Sequence, residues 1–317
     1  MELFIDTDMG ADDALAIAIA VRSGVTLPLI STVSGNVPAQ QAVRNVGVLL
    51  GAIRGNSHPV DAPEVVVGAG IPLKRTAISA TSVFGADGMG GTTATRGAAG
   101  EPTYPAATLQ ISKKSVSQHW LELDSISSGR TLVALGPLTN LAQLALTHPG
   151  ALSKFDSIVA MGGAFNRPGN ITPFAEFNVF ADPDAAAVVF EHYPSLRLIP
   201  LDVTSQVFLE ERFLRAVAGA HEGLARFMYQ AHSAFLQWNL RKRGIASCHP
   251  HDSIAVVAAL YPDAFEFLEM RVDVELNERA PNRGQTVVSP TGLGPVAICI
   301  RADHDLINHE IEKVLTR

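Results

Sequence analysis

Four aspartates fall within eight residues, Asp6, Asp8, Asp12 and Asp13, directly after a short apolar run. Carboxylates this close repel one another unless a cation or a set of hydrogen-bond donors neutralises them. No Cys or His is interleaved, so the donors are hard oxygens, which suit Ca²⁺ or Mg²⁺ better than zinc. Asp12 and Asp13 open a helix, whose N-terminal end favours negative charge, and Asp8 stands on the turn before it. A second group, Asn170, Glu176 and Asn178, sits on a loop and offers both donors and acceptors to sugar hydroxyls, although Asn-rich loops are also ordinary turn chemistry. A third, Cys248-His249-Pro250-His251-Asp252, invites a zinc reading. With one Cys, two His and no partner pair at ligand spacing, Asp252 as a helix cap is the simpler account.

These groups need a scaffold that brings distant segments together. Short β-branched runs at about 2–6, 27–33, 64–68, 131–135, 156–161 and 197–202 alternate with helical patterns at about 11–22, 38–53, 112–128, 137–147 and 183–192. Such alternation implies βαβ units, an α/β fold with an open, mostly parallel sheet and helices on both faces. After residue 203 the pattern changes to one long helical stretch over about 209–242, a helix from Asp252, strands near 268–275, 284–289 and 296–301, and a terminal helix. No repeat or low-complexity linker interrupts the chain, so a single domain over 1–317 with a small C-terminal elaboration is expected. The segment 82–103 is rich in Gly and small polar residues and is a candidate lid. Ligands gather at the carboxyl ends of parallel strands. There stand the aspartate cluster, Ser34-Gly35-Asn36, Gly136 to Asn140, Gly162-Gly163 and Asp202.

The chain has 317 residues, with 24 basic against 31 acidic side chains and a net charge of −7. A surplus of acid argues against nucleic acid or an anionic membrane as main partner. Two cysteines outside any CxxC pair fit a reducing compartment, and no basic region or long apolar run marks a signal peptide or membrane span. A cytoplasmic protein acting on a small molecule is the expectation.

The segments "DTDMGADDALA" at 6–16, "SGNV" at 34–37, "LGPLTNLA" at 135–142, "MGGAF" at 161–165, "AEFNVFADPDAA" at 175–186 and "HD" at 251–252 resemble, in order, the signature blocks of the nucleoside hydrolase family. The resemblance implies a ribonucleoside N-ribohydrolase of the inosine-uridine preferring type that releases ribose and free base by a Ca²⁺-activated water. By the family's pattern, Asp8, Asp13, Asp252 and the main-chain oxygen of Leu135 hold one Ca²⁺ per subunit. Asp12, Asn36, Asn170, Glu176, Asn178 and Asp252 bind the ribose, and Asp8 is the general base. It also implies a homodimer or homotetramer. Family members often carry Thr at position 135, a difference that a main-chain ligand tolerates, and Pro at position 9, where Met9 is expected to be accommodated in a turn.

The chemistry agrees with these roles. Breaking C1′–N leaves an oxocarbenium-like ribosyl cation, which needs nearby negative charge, and a base anion, which needs a proton. His251 resembles the histidine that serves the base. Many members have a second histidine before the turn that is Gly85-Ala86-Asp87-Gly88 here, and Phe84 takes its place. A two-histidine relay is therefore broken, which tilts the expectation toward purine nucleosides or a broad range, and Phe84 and Trp238 could stack on the base. Six carboxylates, Asp6, Asp8, Asp12, Asp13, Glu176 and Asp252, are expected to converge on one pocket. Two rivals remain. A haloacid dehalogenase-type phosphatase would use Asp6 as nucleophile and Asp8 as acid, but Gly10 departs from that motif. A nucleoside-binding protein with impaired catalysis is the other.

Overall fold

The computed structural model describes residues 1–54, 62–93, 104–124, 129–193, 196–289 and 294–316. Its strands are β1 (Glu2–Thr7), β2 (Leu29–Thr32), β3 (Glu64–Val67), β4 (Gln110–Ile111), β5 (Arg130–Ala134), β6 (Ser157–Met161), β7 (Leu196–Ile199), β8 (Leu209–Glu210), β9 (Ser247–Cys248), β10 (Phe265–Met270), β11 (Val272–Val274), β12 (Thr286–Val288) and β13 (Val296–Ala302). The helices are α1 (Ala11–Arg22), α2 (Ala39–Arg54), α3 (Thr81–Phe84), α4 (Val116–Glu122), α5 (Thr139–Thr147), α6 (Phe177–Ala181), α7 (Pro183–His192), α8 (Leu201–Thr204), α9 (Glu211–Ala220), α10 (Leu224–Arg243), α11 (His251–Leu260) and α12 (His304–Thr316).

Nine strands form the main sheet in the order β10-β13-β7-β6-β5-β1-β2-β3-β4. All neighbours are parallel except β10 and β13, which are antiparallel. Side chains alternate between faces with the period of two that strand geometry dictates. Leu3, Ile5, Val133, Val159 and Met161 join one core with α1, α2, α10, α11 and α12. Phe4, Leu132, Ala134, Ile158 and Ala160 join the other with α4, α5 and α7. Burial on both faces explains why these strands are apolar throughout, as in other doubly covered parallel sheets. The chain winds outward from β1 through β2, β3 and β4, then returns to β5 on the opposite side of β1. A crevice opens at such a reversal, outside the carboxyl ends of the two strands.

The C-terminal half departs from the expected elements. The stretch 209–242 is a short strand and two helices, interrupted at Gly223, whose φ of 69° is a left-handed conformation that suits glycine. The run 268–275 belongs to two strands in different sheets, β10 and β11. The strand expected to reach 202 ends at Ile199, and Asp202 lies in α8. The helix expected over 112–128 is confined to α4, where the Ser115 hydroxyl accepts from the Gln118 N–H at 3.2 Å and the Gln118 side chain returns to the Ser115 N–H at 2.8 Å. Strand β4 carries two exposed residues and no pattern that would mark it. Of the segment 82–103 taken as a lid, residues 94–103 lie outside the described residues. Among the described residues, no helix is long and apolar enough to cross a membrane.

Candidate active site

Strand β1 ends at the reversal, and the turn after it delivers the aspartates. The Asp13 carboxylate reaches back to accept from the Gly10 N–H at 2.8 Å and from the Thr7 hydroxyl, which fixes the start of α1. Met9 has a φ of 53°, and its carbonyl accepts from Asn45 Nδ2 at 2.9 Å. Proline, locked near −65°, could not hold that conformation. Met9 is accommodated in this turn. The same Asn45 amide donates to the Asp87 carbonyl at 2.7 Å, tying the acidic turn to the glycine-rich turn after Phe84.

Asp8 is 1 % exposed and accepts from the Asn36 backbone N–H at 2.6 Å and from Asn36 Nδ2 at 3.3 Å. It fits because both flanking positions lack a side chain. A Cβ on Gly35 would lie 2.0 Å from its carboxylate oxygen, and one on Gly136 would lie 3.0 Å from its Cβ. Helix α11 packs on α1, which sets Asp252, in the first turn of α11, beside Asp12 and Asp13. One oxygen from each of Asp12, Asp13 and Asp252 lies within 4.8 Å of the others, a spacing that could hold a metal ion. Oδ1 of Asp12 is buried with no hydrogen-bond partner among the described residues. Burial pushes Asp12 up to about 7, helped by the charge of Asp13, and pushes Asp8 and Asp252 well above the usual carboxylate range. An all-oxygen cluster with an orphaned carboxylate oxygen is the environment a hard divalent cation relieves.

A cavity of about 400 Å³ opens over this cluster, within the range of roughly 300–1,000 Å³ for small-molecule sites. Of the residues singled out from sequence, Asp12, Asn36, Phe84, Leu135, Asn170, Glu176, Asn178, Trp238, His251 and Asp252 line it. Asp8 and Asp13 lie buried behind its floor. Glu176 caps α6, accepting from the backbone N–H groups of Asn178 (2.9 Å), Val179 (3.2 Å) and Gly163 (3.2 Å), while burial raises it to about 7. Asn178 Nδ2 donates to the Leu135 carbonyl at 2.7 Å, and Asn170 Oδ1 accepts from the Phe177 N–H at 2.8 Å. Asp182 caps α7, accepting from the Ala185 N–H at 3.1 Å with Pro183 behind it.

Asp6 does not join the others. It is wholly buried, accepts from Ser31 at 2.5 Å and Asn140 at 2.7 Å, and is absent from the cavity wall. Its partners join β1 to β2 and α5, and Gly10 departs from the phosphatase motif, so the phosphatase reading is not favoured. The zinc reading also lapses: Cys248 donates to the Leu209 carbonyl at 3.7 Å, His249 Nδ1 to the Val207 carbonyl at 2.8 Å, and His251 Nδ1 pairs with the Thr204 hydroxyl at 2.7 Å.

The wall opposite the carboxylates is aromatic. Phe84 packs on Phe235 with ring centroids 4.7 Å apart, and Phe235 stacks on Trp238 at 6.1 Å. His251 is held neutral, down to about 3, by burial and then by the charges of His249 and Arg167. Helix α10 adds His232, Phe235 and Asn239, one face at spacings of three and four, and Arg243 at its C-terminal end, while loops add Arg167 and His249. Sequence reasoning missed five of the six and met His249 only within the group that invites a zinc reading. The α10 face has a helical signature, but reading 209–242 as one helix concealed its phase.

His232 donates from Nδ1 to the Met228 carbonyl at 2.8 Å, and burial lowers it to about 4. A histidine with a depressed folded pKa stabilises the fold above its unfolded value near 6.5 and loses that contribution as pH falls toward 4, about 3 kcal/mol in all. Wild type should therefore lose more stability than His232→Gln between pH 7 and pH 4 in denaturant titrations. Parallel losses would contradict the assignment.

A parallel α/β sheet with a carboxylate-floored, aromatic-walled cavity at its strand reversal is the arrangement of a small-molecule enzyme, and Asp12, Asp13 and Asp252 are spaced so that they could hold a metal ion. The chain belongs to the inosine-uridine preferring nucleoside hydrolase family, whose profile matches residues 3–309, and is thus a hydrolase of N-glycosyl compounds acting on ribonucleosides. It is 31 % identical over 279 residues to a probable uridine nucleosidase 2 of Oryza sativa subsp. japonica, covering 86 % of this chain and 78 % of that protein. It is 30 % identical over 294 residues to a pyrimidine-specific ribonucleoside hydrolase of Escherichia coli (strain SE11), covering 92 % and 88 %. The fold matches a purine-preferring ribonucleoside hydrolase from Gardnerella vaginalis with a TM-score of 0.86 at 24 % identity, over 100 % of this chain and 98 % of the other.

Proposed function

We propose that the protein cleaves ribonucleosides to ribose and free base in one displacement by water, with Asp8 as general base and one Ca²⁺ held by Asp8, Asp13, Asp252 and the Leu135 carbonyl. The observation that supports a cation here is the convergence of Asp12, Asp13 and Asp252 under a cavity whose far wall is aromatic; Asp13 and Asp252 belong to the proposed ligand set, and Asp8 adjoins them closely enough to feel the charges of Asp13 and Asp12. When bound, the cation neutralises the carboxylates, orients sugar hydroxyls and lowers the pKa of water. Asp12, Asn36 and Asp252 hold the 2′- and 3′-hydroxyls on the floor, and Asn170, Glu176 and Asn178 hold the rest of the ribose. Asp8, oriented by two hydrogen bonds from Asn36, takes the proton of the attacking water, while the surrounding carboxylates stabilise the cationic ribosyl group. Phe84 and Trp238 stack on the base and exclude water. His251, neutral and fixed by Thr204, donates to the departing base.

Strands β10 and β13 complete the main sheet, which supports reading 1–317 as one domain. Phe84 in place of a second histidine supports cleavage of purine as well as pyrimidine nucleosides. Inosine and uridine assayed side by side should both release ribose, with inosine at least as fast. Cleavage of uridine alone would overturn the base preference, and tight binding of both without ribose would favour a binding protein.

A further inference from the structure

His232 lines the cavity from α10 and is 2 % exposed. Its Nδ1 lies 2.8 Å from the Met228 carbonyl, one turn back along the helix. A carbonyl brings no proton, so Nδ1 must carry the hydrogen of that bond, and Nε2 is left with a lone pair. Burial lowers the group to about 4, so at pH 7 the ring is neutral and Nε2 is an acceptor. That nitrogen is buried and has no hydrogen-bond partner among the described residues. A buried acceptor without a donor costs free energy that a phenylalanine of similar shape would not incur. Its place in a substrate cavity points to a donor that arrives with the substrate.

The neighbours of His232 say which part of the substrate brings that donor. Helix α3 packs on α10, and Phe235, three residues on along the same helix face, meets Phe84, which is proposed to stack on the base. Phe235 in turn stacks on Trp238. His232 therefore belongs to the wall that takes the base, opposite the carboxylates that take the sugar hydroxyls. Bases differ in what their edges offer. Hypoxanthine carries a ring N1–H and uracil a ring N3–H, each beside a carbonyl. Adenine N1 and cytosine N3 present a lone pair at the corresponding position, which the lone pair of Nε2 repels.

We propose that His232 is a specificity-determining residue for this reaction: its Nε2 accepts a hydrogen bond from the ring N–H of the base and so favours inosine and uridine over adenosine and cytidine; this rests on the site's reading as a ribonucleoside hydrolase. The ring takes no part in proton transfer. Its one N–H proton is committed to the Met228 carbonyl, so it has none to give the leaving group, and His232 does not replace the histidine that Phe84 displaces. The hydrogen bond to the departing base remains that of His251. N1–H of hypoxanthine and N3–H of uracil lie remote from the C1′–N bond, so the contact acts on binding and shows mainly in KM.

The test measures kcat/KM for inosine, adenosine, uridine and cytidine in Ca²⁺-saturated wild type, His232→Phe and His232→Gln, with thermal melts on each. Wild type should favour inosine over adenosine and uridine over cytidine by about tenfold or more, as expected when a buried acceptor meets a donor in one substrate and a lone pair in the other. His232→Phe should cut both ratios by about tenfold, mainly through a higher KM for inosine and uridine. In His232→Gln the amide oxygen can accept in place of Nε2, so part of the preference should return. Wild type that cleaves adenosine and cytidine as well as inosine and uridine, or ratios unmoved in a folded His232→Phe enzyme, would overturn the proposal and leave the hydrolase reading intact. Cleavage of none of the four would overturn the hydrolase reading and this proposal with it.

Discussion

Asp8→Asn should lower kcat by about 10³-fold, in the range attributed to a lost general base, with little change in KM and no loss of thermal stability. The space for the side chain is set by Gly35 and Gly136, and an amide fills it as a carboxylate does. One Asn36 donor keeps its acceptor, since the amide oxygen replaces one carboxylate oxygen. What disappears is the capacity to accept a proton, together with one anionic ligand of the cation, so the two enzymes are compared at saturating Ca²⁺. Removing a charge from a group whose burial and neighbouring Asp13 already oppose ionisation does not weaken the fold. Steady-state kinetics on inosine with thermal melts separates the two effects. An Asp8→Asn enzyme at full rate would end the assignment of Asp8.

Asp252→Asn should separate function from stability in the opposite sense. Asp252 is 3 % exposed, and burial followed by the charges of Asp12, Asp13 and Asp8 raises it well above the usual range. An acid whose folded pKa is raised makes the fold most stable at low pH, with stability lost as pH climbs through the window between the unfolded and folded values. For Asp12 that window runs from 3.8 to about 7. At pH 7 in chelator the wild type therefore carries an electrostatic penalty that Asp252→Asn relieves, giving a variant more stable than wild type. The same change removes an oxygen anion from the cluster, so Ca²⁺ affinity should fall by about a hundredfold or more and activity should be lost. Denaturant titration and calorimetric titration of the ion measure the two sides. A variant less stable in chelator yet unaltered in ion binding would refute this role.

Local chemistry was legible and distant assembly was not. The β1 turn carries its signals within eight residues, and Asp13 capping Gly10 is a contact between near neighbours. The placement of Asp6 was misjudged although strand periodicity decides it. Asp6 shares the Phe4 face of β1, where Asn140 of α5 meets it, while the cavity opens past the strand end. The aromatic wall depends on where the stretch 209–242 is interrupted, at Gly223, which sets the phase of α10, and on α3 arriving from far away in sequence. Periodicity reports which face of an element is apolar, but not which loops will face each other across a crevice.

The most direct measurement is inosine hydrolysis by chelator-stripped protein as Ca²⁺ is returned stepwise, with ribose release and bound ion followed together. Activity should be absent without the ion and rise in proportion to occupancy, reaching its plateau at one ion per chain. Equal ribose release in excess chelator would contradict the account.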